Sequence, residues 1–221
     1  KYGLTNSLIS GDFLLVKAFG LCASLSQHVT KRTECACVEL TEGEVIEGVI
    51  SRDFIPTMDH YLDVAAKKTA SLFWLGCEMG AFLSSASAEM QASAHKFGLH
   101  AGIAFQIIDD ILDITATEEL LGKPIGTDLK QKTPSIINVL WLQENQAEAE
   151  EFFFGEVNAD MAKATAKVLA NSNIVTTAKL MAKERIALAQ EELQTLATAS
   201  CDAHTIRLLQ NLLTFTLDRV S

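Results

Sequence analysis

The sequence predicts an all-α protein, an antiparallel bundle of long helices. Three observations carry that expectation. Hydrophobic residues fill 48% of the 221 positions while Pro numbers only 3 and Gly 12, so long helices are permitted nearly everywhere. Apolar residues recur at helical spacing along most of the chain. No stretch alternates as a half-buried strand would.

Residues 5–27 form the first expected helix, with Leu8, Phe13, Leu14, Leu15, Leu21 and Leu25 giving a broad apolar surface. Gly11 within it offers a small residue for close helix approach, and Asp12 reads as a packing residue. Residues 30–51 form the second, with Glu39, Glu42, Glu44 and Glu47 on a mostly solvated face. Pro56 marks a turn, and Thr57 or Asp59 is placed to cap the helix over residues 58–85. That helix carries Tyr61 and Lys67-Lys68-Thr69, then turns strongly apolar at Leu72-Phe73-Trp74-Leu75. Lys68 and Thr69 therefore stand at a polar-to-apolar boundary. They are either exposed or face a polar cavity in which they would donate to phosphate oxygens.

A Ser-rich turn at residues 84–87 leads into a helix over residues 89–114, which contains Ala104-Phe105-Gln106-Ile107-Ile108-Asp109-Asp110-Ile111-Leu112-Asp113. A helical residue advances about 100°, so Asp109 and Asp113 lie almost above one another and Asp110 about a quarter-turn away. Like charges at i and i+4 repel by a few tenths of a kcal/mol, and the apolar flanks make charge here costlier still. A divalent cation resolves both problems, and Mg²⁺ takes one or two carboxylates with water and phosphate completing its shell. The plainer alternative is a solvated acidic stripe. Residues 121–134 follow as a loop with two glycines, two prolines and three lysines, among them Lys123, Lys130 and Lys132. A basic loop beside an acid cluster suits phosphate binding; otherwise it is an ordinary surface loop. Helices over residues 135–144, 156–170, 176–196 and 202–220 read as scaffold.

The formal net charge of −10 argues against nucleic acid or an anionic membrane as partner. No run approaches ~18 consecutive apolar residues, so no transmembrane segment is expected. Five cysteines, an odd number without zinc-finger spacing, read as free thiols in a reducing, cytoplasmic setting. The opening Lys1-Tyr2-Gly3 has neither an initiator Met nor a signal peptide and reads like the middle of a longer polypeptide.

Lys68-Thr69-Ala70, Gly80-Ala81, Phe97-Gly98, the segment from Ala104 to Asp113, and Gly122-Lys123-Pro124 with Gly126 and Asp128 follow an order and spacing that resemble the trans-isoprenyl (polyprenyl) diphosphate synthases. Gly11-Asp12-Phe13-Leu14-Leu15 and Glu42-Gly43-Glu44 also match, and the likeness is strongest between about residues 3 and 140. It implies an isoprenoid-synthase-type helix bundle around a central cavity, a single domain over residues 1–221 lacking its N-terminal helices, and a homodimer. It implies Mg²⁺-dependent, head-to-tail condensation of isopentenyl diphosphate with an allylic diphosphate. By position, Asp109, Asp110 and Asp113 would bind the metal. Lys68, Thr69, Gln106, Lys123 and Lys132 would surround the allylic diphosphate, with Lys68, Asp109 and Lys123 catalytic.

The sequence also departs from the family pattern. The loop is shorter than the family's Asp-Leu-x-x-Gly-Lys-x-Thr form and lacks that glycine, and Glu47 stands where the family often has Gln. The first aspartate-rich motif and the residues that grip isopentenyl diphosphate would precede Lys1. A non-catalytic regulatory subunit is therefore the alternative. A class I terpene cyclase shares Asp-Asp-x-x-Asp, but the second metal motif of that family has no counterpart here.

Overall fold

The computed structural model describes residues 3–53, 56–122, 124–199 and 202–220, and among them every regular element is helical. The long elements are α1 (Leu4–Leu25), α2 (Gln27–Asp53), α5 (Ala88–Thr115) and α11 (Asn173–Thr198). The expected helix over residues 58–85 is a single rod in three parts: α3 (Met58–Val64), a π-helical turn (Ala65–Ala70) and α4 (Ser71–Leu83). Two short helices, α6 (Glu118–Leu121) and α7 (Thr127–Gln131), lie within the loop region. Shorter scaffold helices follow: α8 (Ile136–Glu144), α9 (Gln146–Phe154), α10 (Ala159–Leu169) and α12 (Ala203–Asp218).

Local chemistry explains the boundaries. Ser26 breaks α1 from α2 with an extended backbone, and its hydroxyl accepts the Val29 N–H at 3.1 Å. Of the two expected caps for α3, Thr57 takes the position, accepting from His60 N. Ser87 caps α5 in the same way, through Met90 N.

The central rod is α5. Its two faces supply Ile103, Ile107, Ile108 and Ile111 to one core cluster, and Ala94, Phe97, Ala101 and Ala104 to another. Its main neighbours are α11, α4 and the π-turn. On α11 the facing positions Ala178, Ala182, Ile186, Ala189 and Leu193 are buried, and the three alanines among them let the two helices approach closely.

Two glycines of α5 admit the α3–α4 rod to near backbone contact. A Cβ on Gly102 would lie 2.6 Å from Ala70 Cα, and one on Gly98 would lie 2.5 Å from Trp74 Cα. From the other side Gly43 of α2 does the same, with a hypothetical Cβ 2.6 Å from Lys68 N. The π-turn is thus gripped on both sides where Lys68 and Thr69 sit. Further along, Glu78 of α4 ties three helices together. It accepts both guanidinium hydrogen bonds of Arg32 (α2) at 2.7 Å and faces His95 Nδ1 (α5) at 2.8 Å. Burial raises the pKa of Glu78, but its hydrogen bonds to Arg32 and His95 outweigh burial and hold the pKa below the ordinary value.

Three expectations change. Gly11 meets no neighbour within 4 Å, because α1 leans on α2 and none of its residues is buried. The glutamates of α2 are not simply a solvated face: Glu39 accepts from Trp74 Nε1 at 3.2 Å and Glu47 pairs with Lys68. By length and composition alone, α1 is also long and apolar enough to cross a membrane, although no unbroken apolar run announces it. A helix whose apolar face is covered by another protein passes the same test.

Replacing Gly102 by Val should force α5 and the π-turn apart. We expect a loss of about 2 kcal/mol or more, read as a fall of roughly 4–8 °C in the thermal midpoint. An unchanged midpoint would show that the contact yields freely.

Candidate functional site

The residues singled out in the sequence meet where the π-turn crosses α5. A small, half-open hollow of about 20 Å³ is lined by Glu47, Tyr61, Lys68, Thr69, Gln106, Asp110 and Thr133, among others. Four helical segments and the start of α8 contribute to it. A π-turn widens the helix locally and often marks functional positions; here it presents Lys68 towards α2 and Thr69 towards α5.

Hydrogen bonds run through the hollow in a chain. Thr69 Oγ1 donates to Gln106 Oε1 at 2.6 Å, and Gln106 Nε2 donates to Asp110 Oδ1 at 2.7 Å. The other Asp110 oxygen accepts the Ile136 N–H at the start of α8, at 2.9 Å. Asp110 is 4% exposed. Burial pushes its pKa up to about 7, against the lowering effect of the Ile136 and Gln106 N–H groups. Beside it, burial and then the Asp110 charge raise the Tyr61 hydroxyl well above its ordinary value.

Asp110 was expected to bind metal; the structure turns it inward. Its physical task is to accept the backbone N–H at the N-terminus of α8, a group that the helix itself leaves without a partner. Asp113 does similar work, being fully buried with Oδ2 accepting the Asp128 N–H at 3.1 Å. Its carbonyl oxygen accepts Gly126 N at 2.9 Å. Asn138 completes the fastening of this loop, donating to the carbonyls of Thr133 and Asp128. Asp109 differs from both. It is 46% exposed, and its nearest ion-pair partner, Arg219 beyond α12, stands at 4.0 Å.

Among the described residues no three acid, His or Cys side chains converge on one point. Asp109 nevertheless fits a hard divalent cation of the kind that takes a single carboxylate and completes its shell with water and phosphate. Asp110 is less open to one, being buried with each oxygen already accepting an N–H.

The basic residues divide in the same way. Lys68 points at the hollow but is already paired: both oxygens of Glu47 stand at 2.9 Å and Glu44 Oε2 at 3.3 Å. Burial works against its charge, yet these carboxylates outweigh burial and hold its pKa above the ordinary value. Lys132 is not brought to the site. It ends α7 in the left-handed conformation, φ 57°, where glycine is the usual residue, and its ammonium donates to Gly155 O at 3.3 Å. Lys132 thus supplies a left-handed turn without a glycine. Lys123 lies outside the described residues. Gln106, expected to touch diphosphate, instead has its amide shared between Thr69 and Asp110.

Two participants escaped the sequence reading. Glu47 was noticed but given no role, and only the fold sets it against Lys68. Arg219 lies 110 positions from Asp109 with no motif to connect them; besides its approach to Asp109 it stands over the Phe105 ring at 5.4 Å.

The sequence matches the family described as "Polyprenyl synthetase" over residues 1–198. Geranylgeranyl diphosphate synthase of Methanosarcina mazei is 29% identical over 202 residues, covering 89% of this chain and 62% of that protein. Heptaprenyl diphosphate synthase from Staphylococcus aureus has the same fold, with a TM-score of 0.91 at 24% identity over 100% of this chain and 69% of its own. Geranylgeranyl pyrophosphate synthase from Corynebacterium glutamicum, solved with calcium and isoprenyl diphosphate, gives a TM-score of 0.81 at 28% identity. That match covers 96% of this chain and 66% of the solved one. The chain spans about half the length of the curated relatives it matches.

Two predictions separate the aspartates. Asp110→Ala leaves a buried N–H and the Gln106 amide without their acceptor and should cost about 3 kcal/mol, a fall of roughly 6–12 °C in thermal midpoint. Asp109→Ala should stay within about 0.5 kcal/mol of the parent. The second prediction concerns pH. The folded protein keeps the Asp110 proton up to about pH 7, whereas the unfolded chain releases it near pH ~4. This contribution is full below the unfolded value and is lost as pH rises towards the folded one. Asp110→Asn should therefore flatten the dependence of the midpoint on pH between about 4 and 7, measured by circular dichroism.

Proposed function

The chain belongs to the polyprenyl synthetase family, and on that premise we propose that it lengthens an allylic diphosphate by head-to-tail condensation with isopentenyl diphosphate, with Mg²⁺ as the assisting cation. The observation that carries this reading is the meeting of Lys68 and Thr69 with the aspartate-bearing turn of α5 in one polar hollow. We take residues 1–221 as one isoprenoid-synthase-like domain. The rival reading, a regulatory subunit, draws no support from relatives whose names are those of synthases.

In this reading Lys68 and Lys123 donate to the diphosphate oxygens and Asp109 holds the cation, with Asp110, Asp113 and Gln106 as positioning residues. When bound, Mg²⁺ would act as a Lewis acid that stabilises the leaving diphosphate. The allylic C–O bond breaks with its electron pair going to the diphosphate. The isopentenyl double bond then forms the new C–C bond to the allylic cation, and the proton released goes to the departing diphosphate. Lys68 and Lys123 meet the charge developing on that group. An apolar groove of about 630 Å³ begins beside Lys67 and follows α2 past Val45, Val38 and Cys37 to Phe19. It is open to solvent along its length, and its apolar floor suits a prenyl chain.

Calcium accompanies isoprenyl diphosphate in the Corynebacterium glutamicum protein, which supports a divalent ion here; a single open carboxylate with water and phosphate completing the shell suits Mg²⁺. The exposed Leu8, Phe13, Leu15 and Leu21 of α1 support a homodimer in which a second copy covers this face. The described cysteines Cys22, Cys35, Cys37 and Cys77 are free thiols, in keeping with a reducing, cytoplasmic setting.

The protein incubated with a labelled allylic diphosphate, isopentenyl diphosphate and MgCl₂ should give longer prenyl diphosphates, and Asp109→Ala should lower that turnover by about 10²-fold or more. Absence of any elongated product from the folded protein would overturn the proposal.

A further inference from the structure

Lys68 offers no bare ammonium to the hollow. The two oxygens of Glu47 hold it in a near-symmetric fork at 2.9 Å each. The Glu47 side chain is 20% exposed against 53% for Glu44, so Glu47 is the shielded partner, and water screens its attraction least. The two backbones run close together here, because Gly43, four residues before Glu47 on α2, lies against the Lys68 backbone. A carboxylate in this position presents to the ammonium what a phosphate presents: paired anionic oxygens at charge-assisted hydrogen-bond distance. Lys67 is occupied likewise, by Asp63 at 3.2 Å and Glu42 at 3.7 Å. An approaching anion therefore meets lysines whose charge acids of α2 and α3 already neutralise.

We infer that Glu47 is an internal stand-in for the diphosphate at Lys68, a positioning residue that holds the ammonium at the hollow and sets diphosphate affinity by competing for it. The inference rests on the proposed role of Lys68 as a diphosphate contact. Its consequence runs against the usual effect of removing an ion pair: neutralising Glu47 strengthens binding instead of weakening it, and does so only while Lys68 is present.

Isothermal titration of inorganic pyrophosphate in MgCl₂ into the parent chain, Glu47→Gln, Lys68→Met and the double variant tests this. Glu47→Gln should bind about tenfold more tightly, in line with the loss of one charge-assisted competitor. Lys68→Met should bind more weakly, and the double variant should match Lys68→Met within about twofold. Thermal melts check that each variant is folded. Should Glu47→Gln fail to fold, Glu47→Asp, which withdraws the carboxylate by one methylene, should still tighten binding by a smaller factor. If Lys68→Met weakens binding but Glu47→Gln matches or falls below the parent, the role of Glu47 is wrong and that of Lys68 stands. If Lys68→Met binds as the parent does, or no form of the chain gives heat, the role of Lys68 is overturned and the inference falls with it.

Discussion

Close backbone contact at the π-turn is the constraint from which the rest of the site follows. Ala70 lies against Gly102 and Lys68 against Gly43, at distances where an added Cβ has no room. That grip fixes the height of the α3–α4 rod relative to both α2 and α5. Once the height is set, Thr69 must fall beside Gln106 and Lys68 beside Glu47, because neither backbone can slide to offer other partners. Side-chain packing alone would tolerate small shifts; backbone against backbone does not.

The aspartates show how buried carboxyl groups are satisfied. Asp110 and Asp113 lie in a part of α5 surrounded by Ile107, Ile108, Ile111 and Leu112, all buried. Each finds backbone N–H donors in the segment that runs from α7 to α8. The two acids thereby fasten the loop to the rod, and the loop satisfies the acids. That exchange leaves Asp109 as the carboxylate of the three open to an external ligand. It also explains why a helix with an acid-rich segment needs no cluster of three converging ligands in order to fold.

The lysines mirror this arrangement. Lys67 and Lys68 are matched by glutamates and an aspartate, so the polar end of the groove carries little net positive charge. The apolar groove along α2 and the uncovered face of α1 lie on the opposite side of the π-turn from the tightly packed α5–α11 pair. Packing is thus concentrated on one flank, while the flank facing the groove is the one left open for a chain or a partner.

Much was legible in the sequence. Helical periodicity and the scarcity of proline determined the class and the main helices, and Thr57 was legible as a cap, since these depend on residues within a turn or two of each other. The adjacency of Lys68-Thr69 to the aspartate segment could be anticipated because a motif of that spacing carries it. Other features depended on contacts across tens of residues. Nothing local to Ala65–Ala70 announces a π-turn, and nothing in Asp109-Asp110-x-x-Asp113 says that the middle acid faces inward. Lys132 reads as one more loop cation until the chain requires a left-handed residue at its position. Local sequence sets the helices and their faces because short-range geometry is periodic. Which acid is buried, which lysine is already paired and which face stays open were decided by tertiary packing, because burial and charge pairing are properties of neighbours that only the folded chain brings together.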